Sequence, residues 1–503
     1  MPNARESLTT CAHRPADRTE GAPVRSGHKA IVVGGGPAGC ATALALARAG
    51  AEVLVLEASS KPTERLAGEW IHPAGVATLR RLGVDLSEVS HAVGRGIVCY
   101  PDDGSGPVPL TYRSDTLAWV GEHRLLVAAL RAAVQAHPRV ELILDARVTA
   151  VAKGQVEYVD AATGRPRTAY APLVVGADGR SSLVRRSLGL SPPSTPLARM
   201  AGLLMSDVEL PYEGYSHTLL GGPGPVLLYR VSPRLVRVCI DVPAPHARSA
   251  TIAGYASHHY MPHLPSALRP GFQAALSRGG VRWAANRTTA RTSYGRQGQA
   301  LVGDATGYYH PLTAVGLTLA FADAECLARA VHVEEYGRQR SSRTKATEVT
   351  STVLHMALSD PGPAAREIRR STYRLLRRSP AERTVALRLI AAEEQRSTRF
   401  WRPYLRVLAG AVGQVARELA STRDWSAGRA VRADFGGWLR WLSAVTFQRS
   451  LTSAHPAEQR RRSQVAKDAA ASCYASATRA ESLPRMAGSP AAVSHSASAQ
   501  IGK

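Results

Sequence analysis

Three glycines, one acid and two later pairings of glycine with aspartate are the residues of this 503-residue chain best suited to chemistry. Gly34, Gly36 and Gly39 stand in Gly34-Gly35-Gly36-Pro37-Ala38-Gly39, a G-x-G-x-x-G pattern, and Glu57, followed by Ala58, comes 18 residues after Gly39. That spacing suits a bound dinucleotide. Gly34 allows a tight turn, Gly36 lets a pyrophosphate approach the backbone, and Gly39 lets a helix pack closely on a strand. The helix start beyond them offers unpaired N–H groups and a positive dipole end. Glu57 can accept hydrogen bonds from ribose hydroxyls and disfavours a 2′-phosphate.

Asp178-Gly179 ends the apolar run 173–176, and Gly303-Asp304 ends a second run at 300–302. Tyr308, Tyr309, His310 and Pro311 then form a turn ahead of Gly316 and Leu317, where a helix of small residues begins. The two tyrosines and His310 are candidates for polarising a substrate or gating a cofactor, and packing of an aromatic turn explains them equally well. Trp70 has a similar placement. No Ser-His-Asp set, paired carboxylates or Cys/His metal spacing stands out, so no metal is expected and the chemistry falls to a cofactor.

The elements that must hold these groups are alternating strands and helices. Residues 30–33, 52–57, 173–176 and 300–302 read as strands and 41–49 as a helix, which is an α/β pattern. Residues 226–231 and 235–240 alternate apolar and polar side chains, as strands of a second sheet do. After about 336 the spacing turns helical, as in 373–378 and 384–394. Segments 401–406 and 438–442 mix tryptophan with arginine, which suits either a membrane surface or an ordinary helical subdomain.

Composition narrows the class. Six scattered cysteines without a CxxC pair point to a reducing, cytoplasmic setting. The first 28 residues lack the apolar core of a signal peptide, and no uncharged apolar run reaches the length of a membrane span. The net charge of +24 comes without a nucleic-acid module, so it is read as arginine-rich composition plus a basic tail, with no nucleic-acid partner.

Taken together, the motifs resemble the FAD-dependent monooxygenases of the para-hydroxybenzoate hydroxylase fold, and within them the squalene monooxygenase (squalene epoxidase) branch. Glu64-Arg65-Leu66-Ala67-Gly68-Glu69, Pro73-Ala74-Gly75, Leu82-Gly83, Gly303-Asp304-Ala305 and His310-Pro311-Leu312-Thr313 carry the likeness, over about 29–330. Ala314-Val315-Gly316-Leu317 departs from that family's Gly-Gly-Gly-Met, and Pro-Ala-Gly departs from Pro-Gly-Gly.

The resemblance implies a Rossmann-like FAD-binding domain (29–90, 121–195 and 296–335), an inserted β-sheet substrate domain (91–120 and 196–295) and a C-terminal helical region (336–450). Residues 1–28 and 451–503 are expected to be disordered. It implies FAD contacts from Arg65, Arg124, the Val148 backbone, Asp178, Gly179, Gly303, Asp304, Pro311, Gly316 and Leu317, in addition to the glycine fingerprint, Glu57, Ala58 and Trp70. It further implies oxygenation through a flavin C4a-hydroperoxide, with electrons from NAD(P)H directly or through a partner reductase. The expected substrate is a lipophilic isoprenoid or polyene olefin of secondary metabolism, which is epoxidised. A cytoplasmic protein with peripheral membrane contact through its basic C-terminal helices would fit such a substrate. Hydroxylation of a phenol or indole, and a geranylgeranyl-reductase-like saturation of prenyl double bonds, are the alternatives on the same fold.

Overall fold

The computed structural model describes residues 27–447, apart from 63–65, 67, 90–91, 114, 162, 248–250 and 423–424. Of the segments expected to be disordered, 1–28 and 451–503, all but residues 27–28 lie outside the described residues, as does the candidate Arg65.

Ala30–Val33 and Val53–Leu56 are four-residue apolar runs buried at every position. Such continuous apolar strands belong inside a parallel sheet covered on both faces. They form the centre of a six-stranded sheet, in which Leu173–Gly176 and then Gln299–Leu301 lie on one side and Val140–Ile143 on the other. All these pairings are parallel, and Gly295–Arg296 closes one edge as an antiparallel hairpin. Strands distant in sequence therefore end side by side, so that Gly34, Glu57, Asp178 and Gly303 follow four neighbouring strand ends. The helix Pro37–Arg48 packs on this sheet and on the helix Gly316–Arg329. Both are built largely of small residues, which permits close approach.

The second sheet has seven strands, in the order 282–289, 194–206, 235–242, 226–232, 215–219, 96–100 and 108–111. Its two-residue alternation decides which groups meet the site. Along Leu235–Val242, Val236, Val238, Ile240 and Val242 enter a core with Tyr260, Leu268 and Phe272. Arg237, Cys239 and Asp241 take the opposite face. The segment 91–120 does not join this sheet as a whole. Ala118–Val120 pairs instead with Trp70–Ile71 on one side and Ala92–Gly94 on the other, in a small three-stranded sheet. A further antiparallel trio, 146–152, 155–160 and 166–170, carries Val148.

The C-terminal helices pack into a core with Tyr309, Val315 and Leu319 of the turn-and-helix segment. Trp438 and Trp441 are 1% and 5% exposed and meet edge to face at 5.5 Å. Trp438 donates its Nε1–H to Asp360 at 3.1 Å. These two tryptophans thus face the protein interior, the placement expected of an ordinary helical subdomain, because the apolar stripes of neighbouring helices bury each other. Among the described residues no helix is long and apolar enough to cross a membrane.

Candidate functional site

A cavity of about 1110 Å³ runs from the strand ends of the parallel sheet to the face of the seven-stranded sheet that carries Met200, Leu227 and Cys239. Gly34, Gly36, Pro37, Ala38, Glu57 and Ala58 line its nucleotide end, joined by Val148, Asp178, Gly179, Gly303 and Asp304. Trp70, Tyr308, Tyr309, His310, Pro311, Gly316 and Leu317 line the remainder. Gly39 does not line it. A Cβ on Gly39 would stand 1.8 Å from the Gly34 carbonyl oxygen, so its role is to let helix and strand close. Gly34 has φ +104, a conformation favouring glycine. A Cβ on Gly36 would meet nothing within 4 Å, leaving open space in front of the helix.

The polar groups at this end combine fixed hydrogen-bond partners with atoms that face the cavity unpaired. Glu57 accepts the Gly35 N–H at 2.6 Å and the Ser59 N–H at 3.0 Å while facing the cavity. Asp178 Oδ2 caps the short helix Leu183–Ser187 by accepting the Leu183 N–H at 2.6 Å, whereas its buried Oδ1 has no hydrogen-bond partner among the described residues. Asp304 accepts from Arg180 Nε at 3.2 Å, and its Oδ1 lies 4.0 Å from where a Gly316 Cβ would be. The helices starting at Pro37 and Gly316 have no side-chain cap and no acid in their first turns. Two uncapped N-termini, open backbone at Gly36 and an orphan carboxylate oxygen fit an anionic dinucleotide with ribose hydroxyls, as FAD is.

Arg124 stands apart from this group. Its side chain is half exposed, donates to Glu122 at 2.8 Å and does not line the cavity. His123 and Arg131 do line it. Arg131 donates to the carbonyls of Gly35, Ser59 and Ser60, each at 3.0 Å, and pairs with Glu57 at 3.5 Å. It lies on the buried helix face between Val127 and Val134, an i−4, i+3 placement visible in the sequence. Arg124→Ala is expected to leave the FAD dissociation constant within about twofold, and Arg131→Ala to raise it about tenfold, the scale of one lost charge-assisted bond. Titration of apoprotein with FAD measures both.

On the opposite wall, Leu66, Met200, Leu227 and Leu312 form an apolar surface. Embedded beside it, Arg237 donates to both oxygens of Glu69, at 2.9 and 2.6 Å, and the Tyr229 hydroxyl donates to the same carboxylate at 3.1 Å. Burial and the neighbouring Cys239 and Glu69 push the Tyr229 phenol well up, keeping it neutral.

Tyr308 bonds Ser194 Oγ at 3.0 Å beneath the Arg180 guanidinium, and Tyr309 Oη is buried without a partner among the described residues. His310 Nδ1 accepts the Leu312 N–H, so its Nε2–H donates to Asp241 Oδ1 at 3.2 Å. His355 stacks on His310 at 3.9 Å and 15°. Asp241, His310 and His355 thus cluster, but parallel imidazoles direct their in-plane lone pairs side by side, a poor arrangement for one shared ion.

His72 holds the loop behind this turn. Its Nε2–H donates to the Thr313 carbonyl at 2.7 Å and its Nδ1 accepts from Tyr112 at 2.5 Å. Burial pushes its pKa down from 6.5 to about 4, against the opposing pull of the Thr313 carbonyl. Between those values the unfolded chain binds the extra proton, so stability falls as pH falls from 6.5 to 4. The loss is on the order of 3 kcal/mol. His72→Gln is expected to flatten that part of a Tm-versus-pH curve. Ala314, the next residue after Thr313, has φ +50 where the resembling family carries glycine, a strain of roughly 1 kcal/mol.

Comparison with known proteins agrees with this layout. The family profile described as FAD dependent oxidoreductase matches residues 29–97, and that described as Squalene epoxidase matches 170–352. Squalene epoxidase erg1 of Aspergillus fumigatus is 33% identical over 326 residues, covering 61% of this chain and 66% of that protein. Squalene monooxygenase SE1 of Panax ginseng is 31% identical over 304 residues, covering 58% and 56%. The chain spans between half and two thirds of the length of these curated relatives. Among solved structures, the flavin-dependent brominase Bmp2 aligns with TM-score 0.60 at 14% identity, covering 78% of this chain and 99% of that one. 2-Methyl-3-hydroxypyridine-5-carboxylic acid oxygenase aligns with TM-score 0.56 at 20% identity, covering 74% and 99%. The chain therefore matches an FAD-dependent oxidoreductase profile over 29–97 and a squalene epoxidase profile over 170–352, on a fold shared with those brominase and oxygenase structures.

Proposed function

We propose that the protein is an FAD-dependent monooxygenase that places one oxygen atom of O2 across a double bond of an apolar isoprenoid or polyene olefin, with electrons from NAD(P)H. The observation that supports this most is the continuity of one cavity. It joins an anion-binding dinucleotide end to a wall of Leu66, Met200, Leu227 and Leu312.

When bound, FAD supplies electron transfer and the activation of O2. The chain's own residues bind, orient and dry the site. The free backbone N–H groups of the first helical turn, from Ala38 onward, would take the pyrophosphate, and Glu57 and Arg131 would hold the adenosine end. Asp178 Oδ1 takes a hydroxyl of the ribityl side, and Asp304 with the helix start at Gly316 holds the flavin end. The backbone of Val148 lies at the adenine. The leucine and methionine wall excludes water and accepts an alkene without offering it a hydrogen bond. The Glu69–Arg237 pair holds the Tyr229 ring edge-on to Trp70, at 6.1 Å, as a rigid border to that wall.

The test is purified, FAD-loaded protein with NAD(P)H, isotopically labelled O2 and a panel of squalene, a polyprenol and a phenol, with and without an added flavin reductase. An epoxide of squalene or of the polyprenol carrying one labelled oxygen is expected. Label in a hydroxylated phenol alone, or hydrogen added to the polyprenol, would overturn the reading.

A further inference from the structure

Behind the Gly303–Ala305 turn lies a buried cluster whose charges do not cancel. Arg291, Asp323 and Arg340 have side chains 2%, 0% and 3% exposed. Arg340 Nε donates to Asp323 Oδ1 at 2.7 Å, and Arg291 donates to Asp323 Oδ2. Two guanidinium groups thus share one carboxylate. Burial is the largest single influence and opposes the charge on each arginine, but Asp323 and the neighbouring tyrosines together outweigh it and leave both pKa values raised, so both stay charged. The other titratable groups close by are neutral or weakly compensating. Burial pushes Tyr294, Tyr309 and Tyr336 up, and pushes the carboxyl of Glu348 up against the opposing charges of Lys345 and Arg291. A buried, unbalanced cation is costly and calls for an anion near it.

The surplus charge faces the cavity. Arg291 lines it, whereas Asp323 and Arg340 do not, and Arg291 Nε is buried with no hydrogen-bond partner among the described residues. The cluster is bonded directly to the turn that carries Asp304. Asp323 accepts the Gly303 N–H at 2.9 Å, and Arg291 donates to Thr306 Oγ1 at 3.3 Å. These groups are buried and bonded directly to one another, so the field of the extra charge at the cavity is screened less than that of a surface group.

Reduction of FAD at neutral pH follows FAD + 2e⁻ + H⁺ → FADH⁻, which adds one negative charge to the ring system. We infer that Arg291 is the electrostatic control of this site: its uncompensated charge favours the anionic reduced cofactor over the oxidised one. Arg291 acts here as a positioning residue through its field, and the inference rests on the FAD reading above. Its removal leaves Asp323 paired one to one with Arg340, a balanced buried pair, so the fold survives.

The experiment is the midpoint potential of bound FAD by dye equilibration, in wild type, Arg291→Met, Arg291→Lys and Arg340→Met. In Arg291→Met, the ratio of reduced to oxidised FAD at a fixed solution potential is expected to fall at least tenfold, about 30 mV for a two-electron couple. Arg291→Lys is expected to keep the wild-type ratio, and Arg340→Met, which removes the same charge away from the lining, to shift it less. An unchanged ratio in Arg291→Met, or an equal shift in Arg340→Met, overturns the inference. Should Arg291→Met not retain FAD, the same comparison is made with Arg291→Gln, and an unchanged ratio there overturns it as well. Wild-type protein that takes up no FAD refutes the cofactor reading instead, so the two failures are distinct.

Discussion

Gly39→Ala is expected to lower the unfolding midpoint sharply and abolish FAD retention, although Gly39 does not line the cavity. An added Cβ would stand 1.8 Å from the Gly34 carbonyl oxygen and 3.3 Å from the Ala177 side chain. The first of these is backbone and cannot swing away. The helix must lift from the strand, which costs about 3 kcal/mol or more, at the upper end for overpacking. Each kilocalorie moves the Tm of a large domain by about 2–4 °C. The informative partner is Gly36→Ala. Gly36 has an ordinary extended conformation, φ −79 and ψ −175, and open space at its Cβ position. Its apoprotein is expected to melt with wild type, while the FAD dissociation constant rises about tenfold or more because the methyl occupies the pyrophosphate's approach. Calorimetry of both apoproteins with FAD titration checks the pair. A Gly39→Ala protein as stable as wild type would remove the close-packing account.

Arg237→Met is the second large effect. Arg237 and Glu69 are 9% and 3% exposed at the side chain and share two hydrogen bonds. Glu69 belongs to the segment leading into Trp70–Ile71, and Arg237 to the seven-stranded sheet, so the pair ties two sheets together across the cavity wall. Its Coulomb energy is largely offset by desolvation, but removing one partner strands a buried charge, at about 3–5 kcal/mol. Urea unfolding should show that loss. Glu69→Gln with Arg237→Met should recover most of it, because the double variant buries no unpaired charge and keeps an acceptor for the Tyr229 hydroxyl. Additive losses in the double variant would mean that the pair is not coupled.

Much of the nucleotide end was legible because its signals are local. A glycine without a Cβ, an acid at a strand end and an apolar run of four are decided by neighbours in sequence, and Gly34, Gly36, Glu57, Asp178 and Asp304, expected from them, all line the one cavity. Arg124 was singled out on its motif, yet its nearest acid is Glu122, two residues away, and that exposed pairing holds it outside the cavity. Arg131, seven residues on, points inward because it shares the apolar helix face. Nothing in the composition of an arginine-rich chain separates the two; only the rotation of the helix against the sheet does.

What the sequence determined alone is the cofactor class and the strand ends that carry it, since turn geometry and phosphate binding depend on residues a few positions apart. The tertiary structure decided the charge pairs. Glu69 with Arg237, Asp241 with His310, and Asp323 with both Arg291 and Arg340 join residues from 17 to 168 positions apart. Each charge is tolerable inside the protein only because packing brings its partner within hydrogen-bond reach and removes water from both. That distance is a property of the folded chain, and so are the apolar wall and the surplus positive charge that line the cavity.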